Sequence, residues 1–413
     1  MCYDACALEM ADGTNTMDLS DRHDRTDTHA SSEDQQTKSF MSSGRFALFL
    51  GIVLSIWAAL HLFVLWRLES VPEVAAHLSR RALIVMATAL WAAYPLARIL
   101  DSWKLKALAR PLEFVAATWI GMVFLLFATL LAADVFTLGG WLLPRLAPTI
   151  RGGAAIAAGV LSLIGLVQGL RPPVVHDHKV LLAGLPPERD GLTLVEISDL
   201  HLGTLTSRRW LTRLVKRVNH MRPDLLVIVG DVVDANTDRS ETFRPILEGF
   251  HARLGVWAVT GNHEYYAGVE RSVRFLEASG LTVLRDRWAE VASGLALAGV
   301  DDLTARRQLG VKDRPVEKAL ANRPPGATIL LNHSPWQADV AAAAGAGLML
   351  SGHTHNGQLW PFGHLVRLSY PLLGGRYEVG GMPVIVCRGT STWGPPMRLW
   401  QRSEIVRVKL KSD

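Results

Sequence analysis

Long apolar runs dominate the first part of the chain. Three of them contain no Asp, Glu, Lys or Arg, and they cover 21, 20 and 19 residues: Phe46–Trp66, Phe114–Ala133 and Gly152–Leu170. A fourth run, from Ala82 to about Leu100, contains Pro95 and Arg98 and is less regular. An α-helix rises about 1.5 Å per residue, so roughly 20 residues cross a hydrocarbon core of ~30 Å. The pattern predicts an all-α bundle of about four transmembrane helices over residues 45–172.

The residues before these runs have a different composition. Residues 1–44 contain nine acidic and three basic residues and have almost no apolar periodicity. Such a segment cannot bury enough apolar surface to fold, so we expect a disordered acidic tail. Met41 is an alternative start of the chain.

After Arg171-Pro172-Pro173, where the fourth helix should end, short β-branched runs alternate with amphipathic helical patterns. The predicted strands are 192–198, 224–229, 256–260, 295–300, 328–331, 348–350, 383–387 and 404–410, and the predicted helices are 207–220, 241–252 and 269–279. The early alternation of strand and helix is typical of an α/β sheet, whereas few helices separate the later strands. We therefore expect residues 173–413 to form an α/β domain with a second, more antiparallel sheet.

Polar residues with metal-ligand chemistry follow five of the predicted strands. They are Asp199 and His201, Asp231 and Asp234, Asn262 and His263, His333, and His353 and His355. Each alone is commonly a turn, cap or core residue, but five coincidences in one domain indicate a shared site. The carboxyl ends of the strands are where α/β sheets carry their functional residues.

The ligand types narrow the choice of metal. Carboxylate, imidazole and amide groups without thiolate favour a borderline divalent ion such as Mn, Fe, Zn or Co, and the set is too large for one ion. Asp199 and His201 are separated by one residue, so both side chains leave the strand towards the same side. Two ions about 3.5–4 Å apart, bridged by a carboxylate, polarise phosphoryl oxygens and acidify a bridging water. The sequence predicts a dinuclear phosphoester-cleaving centre.

Charge and cysteine content exclude other classes. The net charge is −6 over residues 1–44, +6 over 45–172 and +5 over 173–413. None of these segments has the basic stripe with interleaved aromatic residues that binds a phosphate backbone, so nucleic acid is not an expected partner. Cys2, Cys6 and Cys387 are too few for a disulfide framework or a four-thiolate metal site.

The chain contains, in order, the motifs D-x-H, G-D-x-x-D, G-N-H-E, a lone His and G-H-x-H. This set resembles the calcineurin-like metallophosphoesterase superfamily and covers residues 190–413. The stretches GNHEYY, LSGHTHNGQ and RGTSTWGPPMR are similar to its membrane-associated and exported bacterial branch, some members of which carry N-terminal membrane helices. The resemblance implies a two-sheet β-sandwich flanked by helices.

The resemblance also implies a role for each motif residue. It assigns Asp199, His201 and His355 to one ion, Asn262, His333 and His353 to the second, and Asp231 to the bridge between them. His263 would be a catalytic non-ligand that protonates the leaving group or stabilises charge on the phosphoryl group. Asp234 would orient His263 or, with equal weight, cap a helix. Asn356 stands where the branch usually has Gly, which Asn can replace because it tolerates a positive φ.

Two other branches are disfavoured. Protein Ser/Thr phosphatases have Arg-Gly after the second motif and Arg before the third, where this chain has Ala235-Asn236 and Thr260. Purple acid phosphatases require Tyr in the second motif, where this chain has Asp234.

Four crossings would place both chain ends and the loop between the second and third helices on one side. Lys and Arg residues near the membrane number eight on that side and five on the other, which favours that side as cytoplasmic. The orientation inverts if the second run is not a crossing. Ser79-Arg80-Arg81 also fits a twin-arginine export signal, although a charged helix cap is the simpler interpretation.

We therefore expect an integral protein of the bacterial inner membrane with a cytoplasmic catalytic domain. The domain would hydrolyse a phosphodiester or pyrophosphate by attack of a metal-bridging hydroxide, and its position near membrane lipids favours a lipid-linked substrate. One alternative is a catalytically silent membrane scaffold or sensor that uses the phosphoesterase fold as a binding module. A channel finds little support, because few ionisable residues lie within or at the edge of the runs: His61, Arg98 and Asp134.

Overall fold

The structure is a computed structural model that describes residues 43–234 and 240–413. Residues 47–413 form one compact unit. Nearly all of the expected acidic tail, including Met41, lies outside the described residues, as do Ala235 and Asn236.

Long helices form the first part of the described chain. Four of them are long and apolar enough to cross a membrane: α1 (Ser43–Glu69), α3 (Arg80–Ser102), α4 (Lys106–Thr137) and α5 (Ala147–Leu170). The short helix α2 (Pro72–His77) connects α1 to α3. The second apolar run still forms a helix of 23 residues, although Pro95 lies inside it. Ser79 caps this helix, because its hydroxyl accepts a hydrogen bond from the backbone N–H of Ala82.

Polar residues inside the bundle are paired. Asp134 of α4 accepts a hydrogen bond from Arg151 Nε at 2.9 Å and lies 2.5 Å from Arg67 Nε. His61 Nε2 accepts a hydrogen bond from Trp119 Nε1 at 2.8 Å. These pairs satisfy side chains that are costly to leave alone among apolar helices. They join α1, α4 and α5.

Two six-stranded sheets follow the bundle. The first has the order β1-β12-β2-β3-β4-β5 and the second the order β10-β11-β9-β8-β7-β6. The strands of the first sheet are β1 (Val174–Leu181), β2 (Thr193–Ile197), β3 (Leu225–Val229), β4 (Val256–Val259), β5 (Thr282–Val283) and β12 (Glu404–Lys411). The strands of the second are β6 (Arg287–Ala292), β7 (Leu295–Gly299), β8 (Ala327–Leu331), β9 (Leu348–Ser351), β10 (Gly375–Val379) and β11 (Met382–Val386).

The second sheet contains more antiparallel pairing than the first, as expected, but it is a mixed sheet. Only its edge pairs, β10 with β11 and β6 with β7, are antiparallel, while β11, β9, β8 and β7 run parallel. In the first sheet, β12 and β2 form the antiparallel pair. Short helices make the parallel crossovers of the second sheet, and their length hid them in the sequence: α10 (Leu303–Leu309), α11 (Pro315–Leu320) and α12 (Ala338–Ala343).

The two sheets face each other, and helices cover their outer faces. Strand β3 shows the arrangement: Leu225, Val227 and Val229 belong to the core between the sheets, whereas Leu226 and Ile228 belong to the core under the helices. Two amphipathic helices cover that outer face, α6 (Arg208–His220) and α9 (Val269–Ala278). The expected two-sheet sandwich flanked by helices, preceded by four long apolar helices, is confirmed.

The predicted helix over 241–252 is shorter than expected. A 3₁₀ turn, Glu241–Phe243, leads into α7 (Arg244–Leu247), and the helix then ends. Pro245 lies at the start of α7 and Gly249 lies just beyond it, so both ends carry residues that restrict helix length. Two further short helices are α8 (Asn262–Tyr266) and α13 (Gly363–Ser369).

Candidate metal centre

The predicted ligands all lie just beyond strand ends. Asp199 and His201 follow β2, Asp231 follows β3, Asn262 begins α8 after β4, His333 follows β8, and His353 and His355 follow β9. Five of them have φ angles between 44° and 70°: Asp199, His201, Asp231, His353 and His355. This left-handed conformation is uncommon outside glycine and is concentrated at functional sites.

The side chains converge in two groups. Asp199, His201 and His355 each offer a ligand atom within 4.8 Å of the others, and so do Asp231, His333 and His353. The first group is the set that the resemblance assigned to one ion, and the second group combines His333 and His353, assigned to the other ion, with Asp231, assigned to the bridge. The assignment itself stays a prediction. Asn262 is buried, and its Oδ1 makes no hydrogen bond within the described chain.

Asp231 stands between the two groups. Its Oδ2 lies 3.8 Å from His201 Nε2 and 3.2 Å from His333 Nε2. Its Oδ1 accepts a hydrogen bond from the backbone N–H of His263 at 2.9 Å. One carboxylate oxygen of Asp231 thus approaches a histidine of each group, and its bridging role stays a prediction.

The protonation of three of the candidate imidazole ligands suits metal binding. Burial lowers the pKa of His201 to about 4 and that of His353 to about 3, and it also holds the pKa of His355 well below its usual range. These rings are therefore neutral near pH 7, as imidazole ligands have to be. His333 differs, because the charge of Asp231 outweighs the effect of burial and raises the pKa of His333 well above its usual range. His333 Nδ1 lies 2.7 Å from the carbonyl oxygen of Val229, so Nδ1–H donates there and Nε2 is left for a metal. The donor set and the unpartnered Oδ1 of Asn262 fit two divalent ions.

His263 and Asp234 lie beside the two groups. His263 Nδ1 is 3.2 Å from Asp234 Oδ1, so of the two roles considered for Asp234 the structure shows contact with His263. Burial lowers the pKa of His263, but the carboxylates of Asp231 and Asp234 outweigh it and raise the pKa to about 9. His201, Asp231 and His263 form a third group within 4.8 Å. The non-ligand role of His263 therefore stays a prediction that rests on the resemblance.

Glu264 is a site residue to which the sequence reasoning gave no role. Its buried carboxylate accepts hydrogen bonds from the backbone N–H groups of Asp231, Val232, Val233 and Gly261 at 2.6–3.0 Å. It thereby fixes the loop that carries Asp231. Burial and the charge of Asp231 raise the pKa of Glu264 to about 7. The sequence signal for Glu264 was its place in the G-N-H-E motif.

Arg398 is a second residue without a predicted role. It is fully buried, and its guanidinium donates to the carbonyl oxygens of Ser391 at 2.6 Å and His355 at 3.3 Å. One of its nitrogens lies 3.2 Å from His355 Nδ1. Burial lowers its pKa to about 10, which still leaves it charged near pH 7. Arg398 therefore fixes the backbone and ring of a predicted ligand.

The tight packing around the centre requires glycine at two positions. A Cβ on Gly261 would lie 2.8 Å from Asp231 Cγ, and a Cβ on Gly352 would lie 2.7 Å from Asp199 Oδ2. Both glycines belong to the quoted motifs, so these motifs include residues whose lack of a side chain makes room for the ligands.

Residues of the membrane helices approach the site from one side. Arg98 of α3 pairs with Glu113 of α4 at 3.4 Å, and the Glu113 carboxylate takes a hydrogen bond from Thr204. Thr204 follows Gly203, where a Cβ would lie 2.9 Å from Asp234 Oδ2. The positive charge of Arg98 contributes to holding the pKa of Asp234 below its usual range, against the effect of burial. The sequence signal for this contact was Arg98, a charged residue within an apolar run.

Together, the two-sheet fold and the two groups of Asp and His side chains have the architecture of a metallophosphoesterase domain. The model of the calcineurin-like phosphoesterase family matches residues 192–357. A protein of Aquifex aeolicus named "Uncharacterized metallophosphoesterase" is 37% identical over 232 residues, which cover 54% of this chain and 87% of that protein. The chain belongs to the calcineurin-like phosphoesterase family.

Two other relatives are named as transmembrane proteins. A "Transmembrane protein with metallophosphoesterase domain" from Danio rerio is 40% identical over 271 residues, and one from Bos taurus is 36% identical over 274 residues. The chain spans 62% of the length of each of them. Among solved structures, a dimetal phosphatase from Danio rerio matches with a TM-score of 0.31 and 14% identity, covering 49% of this chain and 88% of that one. The protein is thus a membrane-associated member of the family.

Proposed function

We propose that the protein is a membrane-anchored phosphohydrolase that uses two divalent ions to cleave a phosphodiester or pyrophosphate of a lipid-linked substrate. The observation that carries the proposal is the place of Asp231 Oδ2, within 4 Å of His201 Nε2 in one ligand group and of His333 Nε2 in the other. We further propose that the anchor lies in a bacterial inner membrane with the domain on the cytoplasmic side, which the distribution of Lys and Arg around the helices supports.

When bound, the two ions would polarise the phosphoryl oxygens and acidify the attacking water. The protein's own residues would hold the ions, donate the proton and orient the proton donor. Asp231 would hold the two ions at a fixed separation. His263, which the two nearby carboxylates keep protonated near pH 7, would donate its proton to the leaving oxygen. Asp234 would hold the ring of His263 in the required direction through Nδ1.

Metal removal tests the metal dependence of the reaction. Detergent-purified protein treated with chelator should lose hydrolysis of a bis-nitrophenyl phosphodiester, because the ligand set provides no substitute for the ions. Added Mn²⁺ should restore the rate. Full activity in excess chelator would contradict the mechanism.

Asp231→Asn tests the bridging role. An amide carries no charge, so we expect the variant to bind less than one ion per chain in place of two and to lose at least about 10³-fold in kcat. The metal content is measured by elemental analysis and the fold by the thermal midpoint. Loss of expression with unchanged metal content per folded chain would indicate a structural role instead.

The catalytically silent scaffold would give a different result. All predicted ligand positions carry ligand-type residues, and the Asp and His residues among them converge, which favours the enzyme over the scaffold. Wild-type protein purified without metal ions, and unable to acquire them from Mn²⁺ solution, would support the scaffold. If the protein is active, a panel of lipid phosphodiesters and nucleotide diphosphates separates lipid-linked from soluble substrates.

A further inference from the structure

The catalytic domain carries an apolar surface beside the membrane helices. It belongs to the segment 359–369, which contains α13, and its large side chains are exposed by 46–82%: Trp360, Phe362, Leu365 and Leu368. Trp393 and Trp400 are each 54% exposed on a neighbouring loop. Contiguous exposed apolar surface of this kind marks a site of association with a protein or a membrane.

This surface is continuous with the membrane bundle. The rings of Phe362 and Phe124 of α4 meet edge to face with centroids 5.7 Å apart. Leu359, Met397 and Leu399 share one buried cluster with Leu125 of α4 and Ala158 of α5. The apolar segment therefore starts where the domain already contacts the apolar helices.

The contact points lie deep along those helices. Phe124 is ten residues inside the apolar run that starts at Phe114, and Ala158 is twelve residues inside the run that ends at Leu170. At about 1.5 Å per residue these positions lie roughly 15 and 18 Å from the domain-side ends of the runs. A hydrocarbon core of ~30 Å has its midplane at a similar depth.

The alternative is that the bilayer starts beyond these contacts. Only residues 125–137 of α4 and 147–157 of α5 would then remain to cross it. These lengths correspond to roughly 20 and 17 Å, too short for a ~30 Å core. The helices can cross the bilayer only if part of the domain surface lies at the depth of the lipid.

We propose that segment 359–369 is inserted into one leaflet of the bilayer, so that the catalytic domain is itself partly immersed and lipid is the partner of this surface. His364 and Arg367 are exposed on α13 between the apolar residues, where their charged or polar ends can reach anionic headgroups. The backbone N–H of Trp400 donates to Gln168 Oε1 near the end of α5, a level at which Trp commonly marks the membrane interface.

The inserted segment connects directly to the metal centre. It starts four residues after His355, and Tyr370, which follows α13, has its ring 4.6 Å from that of His353. Trp393 on the neighbouring loop lies 5.8 Å from His263, centroid to centroid. Insertion would therefore bring the opening of the centre to the headgroup region, where a lipid phosphoester resides.

Site-directed spin labelling tests the insertion without using catalysis. The full chain, with Cys2→Ser and Cys6→Ser, receives a nitroxide at Leu365→Cys or Leu368→Cys, and the buried Cys387 stays unlabelled. Both replaced side chains are largely exposed, so little packing is lost. The protein is reconstituted in nanodiscs of phosphatidylethanolamine and phosphatidylglycerol, and metal content per chain checks that each variant is folded.

Labels at two other positions calibrate the measurement. Val160→Cys on the exposed face of α5 reports lipid, and Lys216→Cys on the exposed face of α6 reports water. We expect the labels at 365 and 368 to favour collision with oxygen over nickel chelate at least several-fold, as at 160. Nickel-favoured collisions at either position, as at 216, would overturn the insertion. An inactive protein with lipid-like labels would refute only the proposed reaction, and an active protein with water-like labels only the insertion.

Discussion

The pKa of His263 depends on the carboxylates of Asp231 and Asp234, and this dependence predicts how the rate varies with pH. Asp234→Asn removes the negative charge that lies 3.2 Å from His263 Nδ1, so the pKa of His263 should fall from about 9 by about 1–3 units. Because the protonated ring is the proposed acid, the alkaline limb of kcat/KM should move to lower pH by the same amount. The profile is measured with a bis-nitrophenyl phosphodiester.

His263→Gln is the matched control for this experiment. It removes the titrating group and should abolish that limb altogether. A uniform loss of rate in Asp234→Asn, with an unshifted limb, would mean that Asp234 serves only the local structure.

The identity of the candidate ligands was predictable from the sequence, but their supports were not. Each candidate ligand follows a strand, so residue type and position were enough to expect a shared site, whereas the division between two ions came from the resemblance. Glu264 and Arg398 act mainly on backbone groups, N–H for the first and C=O for the second. Backbone partners leave no trace in residue type, so only the structure shows which loop each side chain fixes.

At the scale of elements, α5 supports the loop that carries Arg398. The backbone N–H of Arg398 donates to the carbonyl oxygen of Gly165 at 2.8 Å, and a Cβ on Gly169 would lie 2.7 Å from Met397 Cα. The helix therefore fits this loop only because it has no side chain at position 169. The loop in turn holds His355 through Arg398.

Gly169→Ala tests this support. The added methyl must displace the loop, so we expect weaker metal binding and a kcat at least about 10-fold lower, although Ala favours the helix by about 0.5–1 kcal/mol. Gly159→Ala in the same helix is the control, because a Cβ there meets nothing within 4 Å. Competition with a chelator measures the Mn²⁺ affinity. Equal behaviour of the two variants would show that the contact at 169 does not position the site.

The pattern of apolar and polar positions predicted the long helices and the central strands. It missed β1, β6 and β10, because such edge strands are half exposed and contain His, Asp, Arg and Glu where buried strands have apolar residues. It missed β5 because two residues carry no periodicity. It also missed the crossover helices of the second sheet, because helices of six or seven residues are too short to show a helical period.

At the scale of the whole molecule, the bundle and the domain share one packed interface. Residues 173–413 made without the helices would expose Leu359, Met397 and Leu399, which are now buried against α4 and α5. We expect this fragment to self-associate or to require detergent, and to retain metal less well than the full chain. Light scattering after gel filtration and elemental analysis are the measurements. A monomeric fragment with full metal content and unchanged kcat would show that the helices serve only as an anchor.

The position of strand β12 determines when the first sheet can form during synthesis of the chain. Residues 404–411 lie between β1 and β2, so β1, which directly follows the last membrane helix, gains its sheet neighbour only through them. Synthesis from the N-terminus will have placed the helices in the membrane long before that stretch leaves the ribosome. Arg398 arrives in the same late stretch. We therefore expect the nascent chain to remain an open, membrane-bound precursor, in which metal binding becomes strong only after translation has passed residue 411.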